Sequence, residues 1–360
     1  MQDKTKNKII SIGFVTILIA VFVINIIIKD KEISTSERRK LAKLPKITLK
    51  TLVNGEVTKT WEEYAVDQFF ERDLFRSIKA FYSKNIAKQK DNNKLFEKDG
   101  AIYKMEYPLN ESNVQKSARK IKEVYDKYLQ GMNVYYAIIP DKNYYLQNDD
   151  HLKIDYNKLK RIMQSQLQQM KYIDIWDELE LTDFYRTDLH WKQENLEKKV
   201  SKIQKEMGLD NEREKYILKD VGDFYGSYYG QLASEVLPDR MYVLTNEIIQ
   251  NAITYNYETQ KQGTIYTNPT TADKYDTYLS GATPLITIQN PNAETQKELL
   301  LFRDSFGSSI APLLIENYSK ITLIDLRYIS SSLLDKYLDF EKQDVLFLYS
   351  TLVLNQNILK

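Results

Sequence analysis

Two stretches of this chain hold residue types and spacings that could do chemistry. One is Phe184-Tyr185-Arg186-Thr187-Asp188-Leu189-His190-Trp191, and the other is Leu299-Leu300-Leu301-Phe302-Arg303-Asp304-Ser305-Phe306-Gly307. In the second, an apolar run predicted as a strand leads straight into Asp-Ser-Phe-Gly and then a helix. A serine at such a turn presents its hydroxyl at the carboxyl end of a sheet. The helix that follows points N–H groups at any oxyanion formed there. That is the logic of a nucleophile elbow, although the residues are not G-x-S-x-G. The competing reading is that Ser305 only caps the helix. In the first stretch, Asp188 stands two residues before His190. A serine nucleophile needs a base, and the base needs an acceptor to orient it. On a loop, Asp188 can turn back onto one ring nitrogen of His190 and leave the other for Ser305. The plainer alternative is a histidine packed beside a buried Trp191.

Composition narrows the choices. With His at 2, the base is His190 or His151, and His151 sits in the polar stretch Asn148-Asp149-Asp150-His151, the poorer setting. Cys is 0, which excludes disulfides, thiolate metal sites and cysteine nucleophiles, and so few histidines exclude a His-rich metal centre. No metal or cofactor is implied. Lys+Arg at 51 against Asp+Glu at 50 leaves a net charge of +1, without the basic excess that nucleic-acid binding needs. The 360 residues allow one large domain or two small ones, and 42% hydrophobic residues suffice for a packed core. Tyr at 27 reads as a compositional bias toward Lys, Ile, Asn and Tyr rather than as sugar-stacking surface.

Elements must position these residues. Ile9 to Ile28 is an apolar run broken only by Ser11, Gly13, Thr16 and Asn25, with no small-residue cleavage pattern after it. A helix of that length, at about 1.5 Å per residue, spans a bilayer core, so the run is predicted as an uncleaved anchor. Lysines on both sides of it leave the orientation open. Residues 30–60, with Leu44-Pro45 and Asn54-Gly55, read as a juxtamembrane linker with a turn. Trp61 to Lys90 has helical spacing. Leu95 to Tyr103 reads as a hairpin around Asp99-Gly100. Helices are predicted over Asn110–Leu129, Tyr156–Met170, Asn195–Met207, Ser309–Asn317 and Ser331–Leu338. Strands are predicted over Val134–Ile139, Tyr172–Ile175, Met241–Leu244, Thr264–Thr267, Leu299–Phe302, Ile321–Leu326 and Val345–Tyr349. The alternation predicts an α/β fold with a mostly parallel sheet covered on both faces.

Phe-Tyr-Arg-Thr-Asp-Leu-His-Trp-Lys resembles the Tyr-x-x-Thr-Asp-x-His-Trp box of the DHHW protein family. That family is related to the SGNH hydrolase-like proteins that O-acetylate alginate and other envelope polysaccharides. Leu301-Phe302-Arg303-Asp304-Ser305-Phe306-Gly307 is similar to the family's strand-[RK]-Asp-Ser-[FY] box. Ser36 to Pro45 resembles its N-R-x-L-A-x-x-P signature, Asp67 to Asp73 its D-x-F-P-x-R segment, and Val134 to Lys142 its I-P-x-K strand end. Leu189 stands where the family name has a His. The resemblance runs from about residue 36 to the C-terminus.

What the resemblance implies is an SGNH hydrolase-like three-layer fold with a circularly permuted motif order, the D-x-H box preceding the serine. The chain would divide into a tail (1–8), a transmembrane anchor (9–28), a juxtamembrane linker with helices (29–95) and an SGNH-like domain (96–360). Ser305 would be the nucleophile, His190 the base and Asp188 the orienting acid. Tyr228 and Tyr229, in a Tyr/Gly loop, Lys142 at a strand end, Arg303 and Arg327 are candidates to contact substrate. The function implied is O-acyl transfer, most simply acetyl, or ester hydrolysis, on a cell-envelope or secreted polysaccharide. The domain would lie outside the cell membrane, and a multispanning membrane-bound O-acyltransferase would be the partner that supplies the acyl group. Arg327-Tyr328 and Ser350-Thr351 replace the Gly and Gly-x-Asn-Asp of SGNH enzymes. These replacements favour a second reading, a catalytically impaired glycan-binding or scaffold protein of an envelope polysaccharide system.

Overall fold

The computed structural model describes the chain except residues 1, 38, 47, 49–50, 52–55, 148–149, 210–213, 234–235, 270 and 272. The Asn54-Gly55 turn, Arg38 and Asn148-Asp149 therefore lie outside the described residues. The chain divides into two compact units: Met1–Asn92 with Gly230–Glu235, and Asn93–Tyr229 with Val236–Lys360.

The first unit begins with α1, Gln2–Ile27. Its stretch Lys4–Ile27, 24 residues, is long and apolar enough to cross a membrane, and none of its most apolar window is buried. Helices α2, Glu56–Asp67, and α3, Arg72–Phe81, follow, with a π-helical turn Tyr82–Ile86 extending α3. The single helical stretch expected over Trp61–Lys90 is thus broken at Gln68–Glu71, where Glu71 takes a left-handed conformation (φ 53°). Two of the sequence boxes meet here. Asp67 accepts both terminal nitrogens of Arg39 at 2.7 and 2.5 Å and the Ala42 N–H at 2.9 Å. Arg72 pairs with Glu37 at 2.7 Å.

The second unit opens on the hairpin β1, Leu95–Lys98, and β2, Ala101–Lys104. Asp99 and Gly100 both have positive φ, as a two-residue turn matched to strand twist requires. The chain then runs through α4, Glu111–Val124, β3, Val134–Ile139, α5, Tyr156–Gln166, β4, Lys171–Tyr172, and α6, Glu197–Glu206. A twisted antiparallel pair follows: β5, Ile217–Phe224, and β6, Asp239–Thr245. Next come β7, Ile253–Asn256, β8, Lys261–Gly263, β9, Leu285–Gln289, and β10, Glu298–Arg303. The chain ends with α7, Phe306–Leu314, β11, Lys320–Ile324, β12, Asp344–Ser350, and α8, Thr351–Gln356.

The main sheet has the order β8-β7-β9-β11-β10-β12-β3-β4. The run from β11 to β4 is parallel throughout, while β9 lies antiparallel to its neighbours and β8 to β7. Nearly every residue of β3, β10, β11 and β12 is buried. Because successive side chains point to opposite faces, both faces of this parallel part are covered. The fold is the expected α/β architecture with a mostly parallel central sheet. The sequence reading missed β5, β7, β8 and β9. The helix expected from Ser309 begins three residues earlier, at Phe306, directly after the candidate serine.

Candidate active site

The end of β10 sets the nucleophile candidate. Ser305 occupies the N-cap position of α7, yet its side chain makes no capping bond. Asp304 does that work: its carboxylate accepts the Phe306 N–H at 3.0 Å and, from the end of β12, the Ser350 N–H at 2.8 Å. The Ser305 hydroxyl is left free of the helix and lies 2.7 Å from Nε2 of His190. Gly307 allows the helix to start so tightly, since a Cβ there would sit 2.5 Å from Cβ of Arg303.

His190 Nδ1 lies 2.6 Å from Oδ1 of Asp188, which also accepts the His190 backbone N–H at 3.0 Å. An ionised carboxylate only accepts, so Nδ1 carries the proton and Nε2 offers its lone pair to the Ser305 hydroxyl. Asp188 Oδ2 accepts the Ser227 N–H at 2.5 Å. Burial alone would push the Asp188 carboxyl up. The facing His190 ring and the N–H groups of Ser227 and His190 outweigh it and hold the carboxyl well below the usual range. The Tyr275 ring stacks on the imidazole, centroids 3.8 Å apart and planes 10° apart, and Phe306 lies against it at 4.9 Å.

The loop carrying Asp188 and His190 is pinned from several sides. Asp239, on β6, accepts from the N–H groups of Arg186 (2.9 Å) and Thr187 (2.8 Å) and from the Thr187 hydroxyl (2.6 Å). The Thr187 hydroxyl also accepts the Gly226 N–H at 2.9 Å, and the Thr187 carbonyl accepts the N–H groups of Tyr228 and Tyr229 at 3.1 and 3.2 Å. The loop is then tied to α7. Trp191 Nε1 and the Tyr275 hydroxyl both donate to Ser309 Oγ, at 2.8 and 2.9 Å. Gln193 Nε2 donates to the Ser309 carbonyl at 2.7 Å, and its Oε1 accepts the Leu244 N–H at 2.8 Å.

The substrate-contact candidates occupy varied surroundings. Lys142 is buried, and its ammonium donates to the carbonyls of Tyr185, Arg186 and Asp188 at 2.9, 3.0 and 2.8 Å. Burial pushes it down to about 7. It braces the loop from beneath. Tyr228 is also buried, with the Lys142 ammonium 5.3 Å from its ring centre, whereas Tyr229 is half-buried against Tyr225. Arg303 is fully buried, 3.5 Å from Asp325, and Arg327 forks onto that same carboxylate at 2.9 and 2.7 Å. His151 stacks on Phe96, ring centroids 3.5 Å apart. The helix head differs from expectation. The N–H groups of Phe306, Gly307 and Ser308 are engaged by the Asp304 carboxylate, the Asp304 carbonyl and the Ser305 carbonyl. The sequence reading missed Asp304, Asp239, Ser227, Ser309 and Tyr275. Only Asp304, inside the strand-Asp-Ser box, carried a local signal.

Residues 156–324 match the DHHW protein family. The DHHW stretch holds Asp188, His190, Ser305 and the pinning residues Asp239 and Tyr275, with Lys142 outside it. A DHHW family protein from Eubacterium siraeum DSM 15702 superposes with a TM-score of 0.62 at 19% identity, covering 74% of this chain and 95% of that one. PatB1 of Bacillus cereus gives 0.59 at 18% identity, covering 75% of this chain and 98% of its own. The same PatB1 with a sulfonyl adduct gives 0.56 at 17%, covering 74% and 97%. At these identities the likeness is one of fold. No curated protein matches the chain.

Proposed function

We propose that this chain is a membrane-anchored acyl-transfer enzyme of the cell envelope, working through Ser305, His190 and Asp188. The observation that carries the reading is the unbroken hydrogen-bonded line Asp188–His190–Ser305 at the carboxyl end of β10. In the first step Ser305 Oγ attacks the acyl carbonyl while His190 Nε2 takes the hydroxyl proton. The Oγ–acyl bond forms, the donor's bond to its leaving group breaks, and the imidazolium returns the proton to that leaving group. In the second step a sugar hydroxyl loses its proton to Nε2 and attacks the acyl-serine, and Ser305 recovers its proton. With water as acceptor the same steps are ester hydrolysis. Asp188 keeps the proton on Nδ1 and meets the positive charge of the imidazolium.

The resemblance of the two boxes to the DHHW and alginate-type proteins supports acetyl as the group and an envelope or secreted polysaccharide as the acceptor. It likewise supports a multispanning O-acyltransferase as acyl donor, α1 as the anchor and an extracytoplasmic domain. A second reading, glycan binding without catalysis, draws on the engaged N–H groups at the head of α7 and on Ser350 N–H, which Asp304 occupies. Those groups are the ones an oxyanion would want.

The test is turnover of a chromogenic acetyl ester by the full-length protein, together with labelling by an aromatic sulfonyl fluoride read by intact mass. Wild type should turn over and gain one sulfonyl group. Ser305→Ala should do neither while melting as wild type does, with a rate loss of ~10³-fold or more, and His190→Ala should fall nearly as far. A wild-type protein inert to both reagents would leave the binding reading standing.

A further inference from the structure

Helix α3 and its π-helical extension turn the wrong side outward for a water-soluble surface. Leu74, Phe75, Ile78, Phe81, Tyr82 and Ile86 recur at the spacing of one helical face, and each is more than half exposed. The opposite face is small and polar, and it is the one that packs. Ala80 and Ser83 are buried, Arg72 pairs with Glu37 at 2.7 Å, and Arg76 donates to the Gly230 carbonyl at 2.7 Å. A contiguous apolar face of this size marks a contact surface.

The same unit shows what that surface meets. The turn leading into α3 is bonded to the last turns of α1: the Phe70 N–H donates to Asn25 Oδ1 at 2.8 Å. Just beyond α1, Gln68 bonds the backbone of Lys31 in both directions, at 2.9 and 3.0 Å, and the Tyr64 hydroxyl donates to Asp30 at 3.0 Å. The start of α3 is therefore fixed at the level where the apolar stretch of α1 ends. Exposed Lys79 and Lys84 stand beside the apolar face. There their stems can lie along acyl chains and their ammonium groups reach lipid phosphates.

The geometry points to α3 and residues 82–86 as an interfacial helix, its apolar face sunk in the headgroup boundary of the bilayer that α1 crosses. The occupant is lipid, with anionic headgroups preferred by the flanking lysines. This inference rests on the reading of α1 as an anchor. It adds a second membrane contact that would limit how freely the chain swings about α1.

The full-length chain has no native cysteine, so single-cysteine variants take a label cleanly. Ile17→Cys in α1, Phe75→Cys and Phe81→Cys on the apolar face, and Lys84→Cys beside it would each carry an environment-sensitive fluorophore. The proteins would be reconstituted in vesicles of phosphatidylcholine and phosphatidylglycerol, with and without brominated acyl chains. The expected result is loss of emission to bromolipid at 17, 75 and 81, and little loss at 84. Quenching at 17 with positions 75 and 81 no different from 84 overturns the interfacial helix and leaves the anchor intact. No quenching at 17 overturns the anchor reading and this inference with it. Labels at 75 and 81 that ignore bromolipid, yet become shielded from aqueous iodide only when other membrane proteins are present, overturn lipid as the occupant in favour of a protein.

Discussion

Gly226→Ala should cripple the site while leaving Asp188, His190 and Ser305 themselves unsubstituted. A Cβ at position 226 would stand 2.2 Å from the Thr187 carbonyl oxygen and 2.4 Å from Cβ of Asp188. Carbon atoms in ordinary contact keep ~3.5–4 Å, and the atoms met here are backbone and Cβ, so one strand of the loop must move by more than an ångström. Four hydrogen bonds cross that contact: Gly226 N–H to the Thr187 hydroxyl, Ser227 N–H to the Asp188 carboxylate, and the N–H groups of Tyr228 and Tyr229 to the Thr187 carbonyl. A bond to a carboxylate contributes ~1.5–3 kcal/mol and a neutral one ~0.5–1.5, so losing all four would cost about 3–7.5 kcal/mol. Relaxation should save part of this, but the Asp188 carboxylate would no longer be held square to the imidazole. A displacement of that order costs about 10²-fold in rate. The assay is kcat/KM on a chromogenic acetyl ester beside a thermal melt. Gly131→Ala is the comparator: it lies just before β3, at the amino end of the sheet, with φ +84° and nothing within 4 Å of the new Cβ. It should lose about 1 kcal/mol of stability and no activity. Wild-type turnover by Gly226→Ala would refute the claim that this loop positions Asp188.

Tyr275→Leu removes the ring stacked on His190 and should lower kcat several-fold with KM little changed. Tyr275→Phe, which keeps the stack and loses only the bond to Ser309, should restore most of it, and equal losses in both variants would shift the role from the ring to the hydroxyl. Burial pushes the Asp141 carboxyl up to about 6, against bonds from the Tyr156 hydroxyl and the Asn143 N–H. A folded value above the unfolded one means that its contribution is whole below about pH 4 and is lost as pH rises through 6, about 3 kcal/mol in all. Asp141→Asn should therefore gain on wild type in urea unfolding between pH 4 and 7, and a pH-independent difference would contradict this. Lys142→Met strands three carbonyls and should cost about 2–5 kcal/mol in urea unfolding, with a matching loss of ester turnover. Unchanged stability would show that those carbonyls find water instead.

The parts of the site legible in the sequence are those whose signals are local. Asp-x-His and strand-Asp-Ser are short because the groups involved act through neighbours in the chain, and Asp99-Gly100 announces its turn by its backbone preferences. The parallel strands β3, β10, β11 and β12 read clearly as apolar runs, being buried on both faces. Strand β5 did not: its Ile-Leu-Lys-Asp-Val-Gly-Asp-Phe is exposed over most of its length and carries no alternation. The start of α7 is hard to read because Phe306-Gly307-Ser308 looks like a turn, whereas Gly307 is there for the close approach of Arg303. The pinning of Thr187 and Asp188 was out of reach for a different reason. Its donors are backbone N–H groups of residues 226 to 229, which any sequence supplies, and its main acceptor, Asp239, arrives from a strand far along the chain. Tyr275 likewise reaches His190 from a loop whose composition signals nothing.

Precision in this site is divided unequally. Ser305 rides on a junction between a buried strand and a buried helix, the most rigid kind of support. His190 and Asp188 ride on a loop, and a loop holds geometry only as well as its tethers do. Here the tethers are a carboxylate, a buried ammonium, a stacked tyrosine and four backbone N–H groups, nearly all of them buried. That investment in orienting one imidazole fits the proposed acyl transfer better than a binding surface, which needs no oriented base. The head of α7 pulls the other way, since Asp304 consumes donors that an oxyanion would otherwise use. Both attacks, on the donor and on the acyl-serine, build an oxyanion, so a productive site must draw its donors from groups other than the Phe306 and Ser350 N–H groups, while proton transfer through a well-held histidine serves both steps.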